Sequence, residues 1–334
     1  MPPLYLMEQG SQLRVERQRL LVQKSGELLV RVPLAHVESV LIYGNIGVTT
    51  PAIKRLMSAG VDVVFLTTRG QYVGRMVGPL SKFGELRAAQ YRATGDMTFA
   101  LSAARRIVQG KLFNLRVTLQ RRQRENAALG LTATIERLAQ LSARAGQAEG
   151  LAALLGLEGS ASAAYFGVFG RLVPEGWRFT RRTRRPPADP VNVLLSLGYT
   201  LLTRQVESAV SAVGLDPYLG LLHQPVYGRP SLALDIVEEF RAPIVDAVVL
   251  RCLNEGMIAP GDFTPGPSPD RPVVLSQGGM KSFIQAFETK LEAEVYHPET
   301  RERVSYRRAA EVQARVMARC FRSGVPDYTP FRLR

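Results

Sequence analysis

Two different rhythms of hydrophobic spacing divide this chain, and no single layer of secondary structure accommodates both. Residues 1–77 are cut into short runs rich in Val, Leu and Ile, namely LRVERQRLLVQ, GELLVRVPL, VESVLIYG, VDVVFLTT and QYVGRMVG, with Gly, Pro, Ser and Asn between them. Such runs predict strands closed by turns. TPAIKRLMSAG interrupts them once as a short helix, with a Thr cap and Pro51 in its first turn. From Gly84 onward the spacing turns helical in LRAAQYRAT, DMTFALSAARRIVQGKLFNLRVTLQRRQREN and LTATIERLAQLSARAG. The expectation is an α+β protein: a β-rich, sandwich-like domain over 1–77, a linker over 78–86 and a larger all-α domain over 87–334. The glycines of GNIG and RMVGPLSKFG suit turns and a linker, because no GxGxxG or lysine-bearing P-loop pattern is present. With no catalytic constellation of its own, the first domain is expected to serve dimerisation or partner docking.

Within the helical part, GLLHQPVYGRPSLALDIVEEFRAPIVD sets His223 a dozen residues ahead of Asp235, Glu238 and Glu239. Pro230 and Ser231 predict a helix start, with the serine oxygen free to cap it. At about 100° per residue, Leu232, Ile236, Phe240 and Ile244 fall on one side and the three acids on the other. Three carboxylates sharing a face repel one another, so a positive group should stand opposite them. Taken singly, Asp235 suits a first helical turn, and Glu238 could pair with Arg241 or Arg229 on a solvated face. Imidazole nitrogen with carboxylate oxygen is also a normal ligand set for a divalent catalytic ion.

The charge balance points outward. The chain has 43 Lys plus Arg against 29 Asp plus Glu, a net charge of +14 over 334 residues. So basic a chain suits a polyanion, and the excess of arginine suits forked contacts to phosphate. The densest cluster, WRFTRRTRRPPADP, carries Arg178, Arg181, Arg182, Arg184 and Arg185 ahead of an extended Pro-Pro loop, beside Trp177, Phe179 and Tyr199, which are suited to stacking on bases. Arg105, Arg106, Lys111, Arg116, Arg121, Arg122 and Arg124 form a second candidate stripe for backbone contacts on an amphipathic helix. No apolar run approaches the ~20 residues of a membrane span, and MPPLYLMEQGSQ lacks the features of a signal peptide, so a cytoplasmic protein is expected. Cys252 and Cys320 read as reduced thiols.

The ordered series LEGSASAAYF, RRPPADPVNVLLSLGYTLL, GLDPYLGLLHQPVYGRPSLALDIVEEFR and LSQGGMKSFIQAFETKL, together with VLIYGNIGVTTPAIKRLMSAGVDVVFL in the first third, resembles the CRISPR-associated spacer-acquisition integrase, the larger of the two widespread adaptation proteins. The resemblance covers nearly the whole chain. It implies a β-domain that dimerises, an α-helical catalytic domain, a small ferredoxin-like partner protein, and double-stranded DNA as both captured fragment and CRISPR repeat. It further implies other adaptation factors, among them an end-trimming nuclease. Residue by residue, the family's metal-binding glutamate matches Glu158, its histidine His223 and its second acid Glu238. Asp235 matches a neighbouring acid, either a ligand or a support for one. Arg229, Lys281, Asn192 and Tyr199 fall in motif blocks, the last two in structural roles.

The implied chemistry is phosphoryl transfer with Mn²⁺ or Mg²⁺, in which a DNA 3′-hydroxyl attacks a phosphodiester at the repeat edge. No protein nucleophile is required, which leaves Ser231 and Tyr165 without that role. Run with water or in reverse, the same centre acts as an endonuclease or disintegrase. Two alternatives share parts of this reading: a metal-dependent nuclease acting on branched DNA in repair, and a DNA-binding protein without a working centre. The segment GVPDYTPFRLR is open between a docking tail and a frayed end.

Overall fold

The computed structural model describes residues 3–37, 39–68, 72–76 and 83–334. Their contacts divide the chain into two compact units, Met1–Lys82 and Phe83–Arg334.

The first unit holds two four-stranded sheets. One has the order β1 (Leu4–Leu6), β5 (Ser39–Tyr43), β7 (Asp62–Leu66), β8 (Tyr72–Met76); the other runs β4 (Glu27–Pro33), β3 (Arg19–Lys24), β2 (Gln12–Glu16), β6 (Gly47–Val48). The run LRVERQRLLVQ is thus a hairpin rather than one strand, with Leu13 opposite Val22 and Val15 opposite Leu20. β1, β5 and β7 are parallel. Parallel pairing requires a crossover, and α1 (Thr50–Ser58) supplies it between β5 and β7. Thr49 Oγ1 caps α1 by accepting from Ala52 N at 3.4 Å. Leu6, Val40, Ile42 and Val63 of one sheet share a core with Leu13, Leu20 and Val22 of the other and with Leu56 of α1. This is the expected sandwich-like arrangement.

The second unit is mostly helical: α2 (Gly84–Gly95), α3 (Met97–Glu125), α4 (Thr132–Ala145), α5 (Leu151–Phe169), α6 (Pro190–Val213), α7 (Ser231–Phe240), α8 (Ala247–Asn254), α9 (Gln277–Glu292) and α10 (Tyr306–Ser323). Residues 77–82 of the expected strand and linker lie outside the described residues, and Gly84–Leu86, read as linker, open α2. The unit is not purely α. Two hairpins interrupt it, β9 (Phe263–Ser268) with β10 (Arg271–Leu275) and β11 (Glu294–His297) with β12 (Glu302–Ser305). β12 runs directly into α10, whose first residue, Tyr306, follows Ser305.

α3 is the axis of this unit and packs against α2, α4, α5 and α7, while α6 packs against α7 and α10. α7 is buried nearly all round. Beyond it, Arg241–Asp246 widens into a π-helix. Pro243, which lacks an N–H, stands in that stretch and cannot complete a regular α turn. Among the described residues one helix, Leu151–Leu172, is long and apolar enough to cross a membrane by length and composition, a property that core helices share. Its apolarity comes mainly from Leu and Ala, with Tyr165 and Phe169 fully buried, and Glu158 stands within it.

The tail is docked. Tyr328, Phe331 and Leu333 are buried, and Phe331 stacks on Phe240 with 4.8 Å between ring centroids. Asn114 of α3 stitches it down: its Nδ2 donates to Phe331 O and to Glu239 O, and its Oδ1 accepts from Leu333 N. Where the tail crosses α3, a Cβ on Gly110 would stand 2.5 Å from Pro330 Cβ. Glycine at that position lets the two backbones touch.

Candidate metal centre

The centre lies where α3, α5 and α7 meet. Lys111 follows Gly110 on α3 and is buried, at 5% exposure. It bonds to Glu158 Oε1 of α5 and stands 2.5 Å from Glu238 Oε2 of α7. Lysine is almost never so buried unless paired. Here it is paired twice. Ser162, one turn along α5, donates to the same Glu158 oxygen at 2.9 Å. Arg241 brings a second cation, its Nε 3.0 Å from Glu238 Oε2 and its guanidinium 4.6 Å from the centroid of the Tyr199 ring. The positive group expected opposite the acids is therefore a lysine and an arginine.

These charges decide the state of Glu238. Burial alone would raise its pKa, but Arg241, Lys111 and His223 together hold it at about 2, so it is an anion at any physiological pH. Glu238 Oε2 is thus a buried anionic oxygen with Lys111 Nζ at 2.5 Å and Arg241 Nε at 3.0 Å beside it. That is the environment of a cation ligand.

His223 is set by Asp235. The fully buried Asp235 accepts from the backbone N–H of Leu221 (2.6 Å), Leu222 (3.0 Å) and His223 (2.9 Å), and its Oδ1 lies 2.7 Å from His223 Nδ1. Four contacts occupy both carboxylate oxygens. Asp235 is therefore the support that fixes the loop and the ring, which leaves Nε2 as the free nitrogen of the imidazole. Burial works to lower the pKa of His223, but the hydrogen bond and charge of Asp235, with the charge of Glu238, outweigh it and raise the value. The loop folds back this tightly because residue 220 is glycine: a Cβ there would lie 2.6 Å from His223 O and 2.7 Å from Ser231 C.

Other expectations need correction. Ser231 does not cap α7; its Oγ donates to Gln224 O at 3.2 Å, and Arg229 donates to the same carbonyl, so both brace the His223 loop. The three acids of α7 do not work as one face. Glu239 points to the rear, where its Oε2 accepts from Phe331 N (2.7 Å) and Gln313 Nε2 (2.9 Å), and burial raises its pKa to about 8. Lys111 leaves the proposed basic stripe of α3, as does Arg105, which donates to Ala148 O. Arg182 is turned inward onto Asn192 Oδ1 (2.8 Å) and Ser196 Oγ (3.0 Å), while Arg178, Arg181, Arg184 and Arg185 are exposed. Asn192 also ties the arginine loop through Thr183 N and Arg181 O. Phe179 and Tyr199 are buried and unavailable for stacking on bases. Lys281 is exposed near the start of α9 and is not among the groups that meet at Lys111.

One part of the centre had no sequence signal. Asp246, at the end of the π-helix, lies 2.5 Å from Tyr199 Oη, with the Tyr165 hydroxyl directed at it. Burial brings its pKa up to about 6 against the pull of those hydroxyls and of Arg241 and Arg182. Asp246, Lys111, Ser162, Phe166, Arg184 and Arg241 line one pocket.

Glu158 and Glu238 thus meet at one point and His223 is oriented beside them. Among the described residues no group of three His, Cys, Asp or Glu side chains is gathered as a ready-made metal shell, and Lys111 Nζ stands where the two carboxylates converge. The donor set, two carboxylates and an imidazole nitrogen, fits a divalent ion.

Fold and site together define a two-part α+β protein whose helical unit carries a buried carboxylate, imidazole and ammonium centre. The family model described as CRISPR associated protein Cas1 matches residues 4–289, and the chain belongs to that family. It is 39% identical over 330 residues to CRISPR-associated endonuclease Cas1 3 of Thermus thermophilus, covering 99% of this chain and 95% of the relative. It is 36% identical to a CRISPR-associated exonuclease Cas4/endonuclease Cas1 fusion of Geobacter sulfurreducens, covering 99% of this chain and 60% of the fusion. A solved Cas6-RT-Cas1--Cas2 complex contains a chain that superposes with a TM-score of 0.84 at 26% identity, over 99% of this chain and 36% of that one.

Proposed function

We infer that this chain is a divalent-metal-dependent DNA endonuclease and integrase of CRISPR adaptation, inserting captured fragments at the repeat by attack of a 3′-hydroxyl on a phosphodiester. The observation that carries the chemistry is the convergence of Glu158 and Glu238, from separate helices, on one buried cation position beside an imidazole that Asp235 holds in a single orientation. In this reading Glu158, His223 Nε2 and Glu238 hold Mn²⁺ or Mg²⁺. The ion would supply Lewis-acid activation of the hydroxyl and neutralisation of charge building on the phosphate. Asp235 keeps the imidazole turned toward the ion. Arg241, fixed on Tyr199, places a permanent positive charge beside the reacting phosphate. The exposed Arg178, Arg181, Arg184 and Arg185 carry the DNA backbone.

The Cas1--Cas2 assembly of the structural relative supports a small ferredoxin-like partner, and the Cas4 fusion supports cooperation with an end-trimming exonuclease. A homodimer is supported by the edge strand β4, where Leu28, Leu29 and Val30 are each about 40% exposed. We place the protein in the cytoplasm, with the DNA it acts on. His223→Ala is expected to abolish Mn²⁺-dependent strand joining while leaving DNA affinity within about twofold, since the phosphate contacts come from the arginines. Wild-type joining rates in that variant, measured on a repeat-containing duplex with a short fragment, would remove the centre proposed here. Cleavage of branched DNA by water in preference to joining, with no partner protein needed, would reassign the same residues to repair.

A further inference from the structure

Lys111 presents a conflict: its ammonium stands at the point where Glu158 and Glu238 converge, the position the proposed ion requires. We propose that Lys111 is a displaceable counter-ion, which holds the two carboxylates together before the metal arrives, must vacate their junction for it to bind, and then meets a DNA phosphate from the adjacent pocket. This deepens the function proposed above and rests on its ligand assignment.

Three observations support it. Two carboxylates of this burial, with side-chain exposures of 19% and 5%, would repel one another without a cation between them, so some charge must occupy the junction at all times. Of the two cations at Glu238, only lysine is free to leave. Arg241 is pinned by Tyr199, whereas the ammonium is a point charge with rotatable donors on a flexible four-carbon stem. Lys111 also has a destination: it already lines the pocket shared by Ser162, Phe166, Arg184, Tyr199, Arg241 and Asp246. Two arginines give that pocket a phosphate-binding character. Its one carboxylate, Asp246, is engaged by the Tyr199 hydroxyl.

The test uses the full chain without DNA and reads Mn²⁺ binding by calorimetry for wild type, Lys111→Met and Lys111→Arg, with Glu238→Gln as control. Removing the competitor in Lys111→Met should tighten Mn²⁺ binding about tenfold. In EDTA this variant should melt below wild type, and added Mn²⁺ should raise its Tm more than it raises that of wild type. Lys111→Arg should bind Mn²⁺ no more tightly than wild type. Unchanged or weaker Mn²⁺ affinity in Lys111→Met, with binding lost in Glu238→Gln, overturns the counter-ion and leaves the metal centre standing. Mn²⁺ binding that survives Glu238→Gln removes the centre and the counter-ion with it. Because a buried lysine variant can fail to fold, wild type supplies a second measurement: acetylation of Lys111, read by mass spectrometry, should rise several-fold on adding Mn²⁺. Protection that Mn²⁺ does not change overturns the proposal.

Discussion

Glu238 and Glu239 are neighbours on one helix, chemically identical and both buried, yet their carboxyls differ by about six pKa units, at about 2 and about 8. Glu238 looks forward, to Lys111, Arg241 and His223, and is held ionised. Glu239 looks back, to a backbone N–H, an amide and a tyrosine hydroxyl, with the charge of Arg332 too weak to offset burial, and is neutral over most of the physiological range. Burial is common to both, so the partners alone decide the charge. α7 is thus a plate with a charged front for chemistry and a neutral rear for anchorage.

Substitutions that strike one side and not the other probe this division. The largest effect is expected from Glu238→Gln, which keeps the shape but removes the anion: metal-dependent strand joining should fall by about 10³-fold with the fold retained, measured as single-turnover rates alongside circular dichroism. At the rear, Phe331→Ala should cost about 3 kcal/mol of stability in chemical denaturation, because it empties the space against Phe240. Its activity below the melting range should change far less. Asp235→Asn should lower activity by about 10–100-fold through a misoriented imidazole, with a matching loss of Mn²⁺ affinity.

The smallest effect is one of pH. Glu239 binds more protons folded than unfolded between pH 4.5 and about 8, so its contribution makes stability fall as pH rises through that window. Glu238 binds fewer folded than unfolded, so its contribution is present above about 4.5 and is lost as pH falls toward 2. Denaturation curves in EDTA should show the alkaline decline flattened in Glu239→Gln, at no more than about 1.4 kcal/mol per pH unit. The acid limb should remain.

How much of this was legible beforehand follows from how local each signal is. The strands of the first unit announced themselves through Val and Leu runs between turns, but β1 and β6, three and two residues long, did not. Nor did the parallel order, which depends on partners far apart in sequence. The motif blocks singled out Glu158, His223 and Glu238, and two of these share a cation in the structure. Lys111 was misread as a surface charge because it sits among the arginines of an amphipathic helix. Only the packing of α5 and α7 turns that position inward. Helical periodicity grouped Glu239 with Glu238 for a related reason: an angle about the axis states which way a side chain leaves the helix but not what covers it. α7 is covered on every side.

The π-helical stretch Arg241–Asp246 gives this gene one place in the helical unit where its length can drift. Loss of one codon there turns i→i+5 bonds into i→i+4 bonds between the same flanking residues, so the helix returns to ordinary pitch with its downstream register kept. Loss of a codon from the regular turns of α7 instead rotates everything that follows by about 100°. Single-residue deletion should therefore be better tolerated at positions 242–245 than within α7, a difference that a deletion scan would map directly.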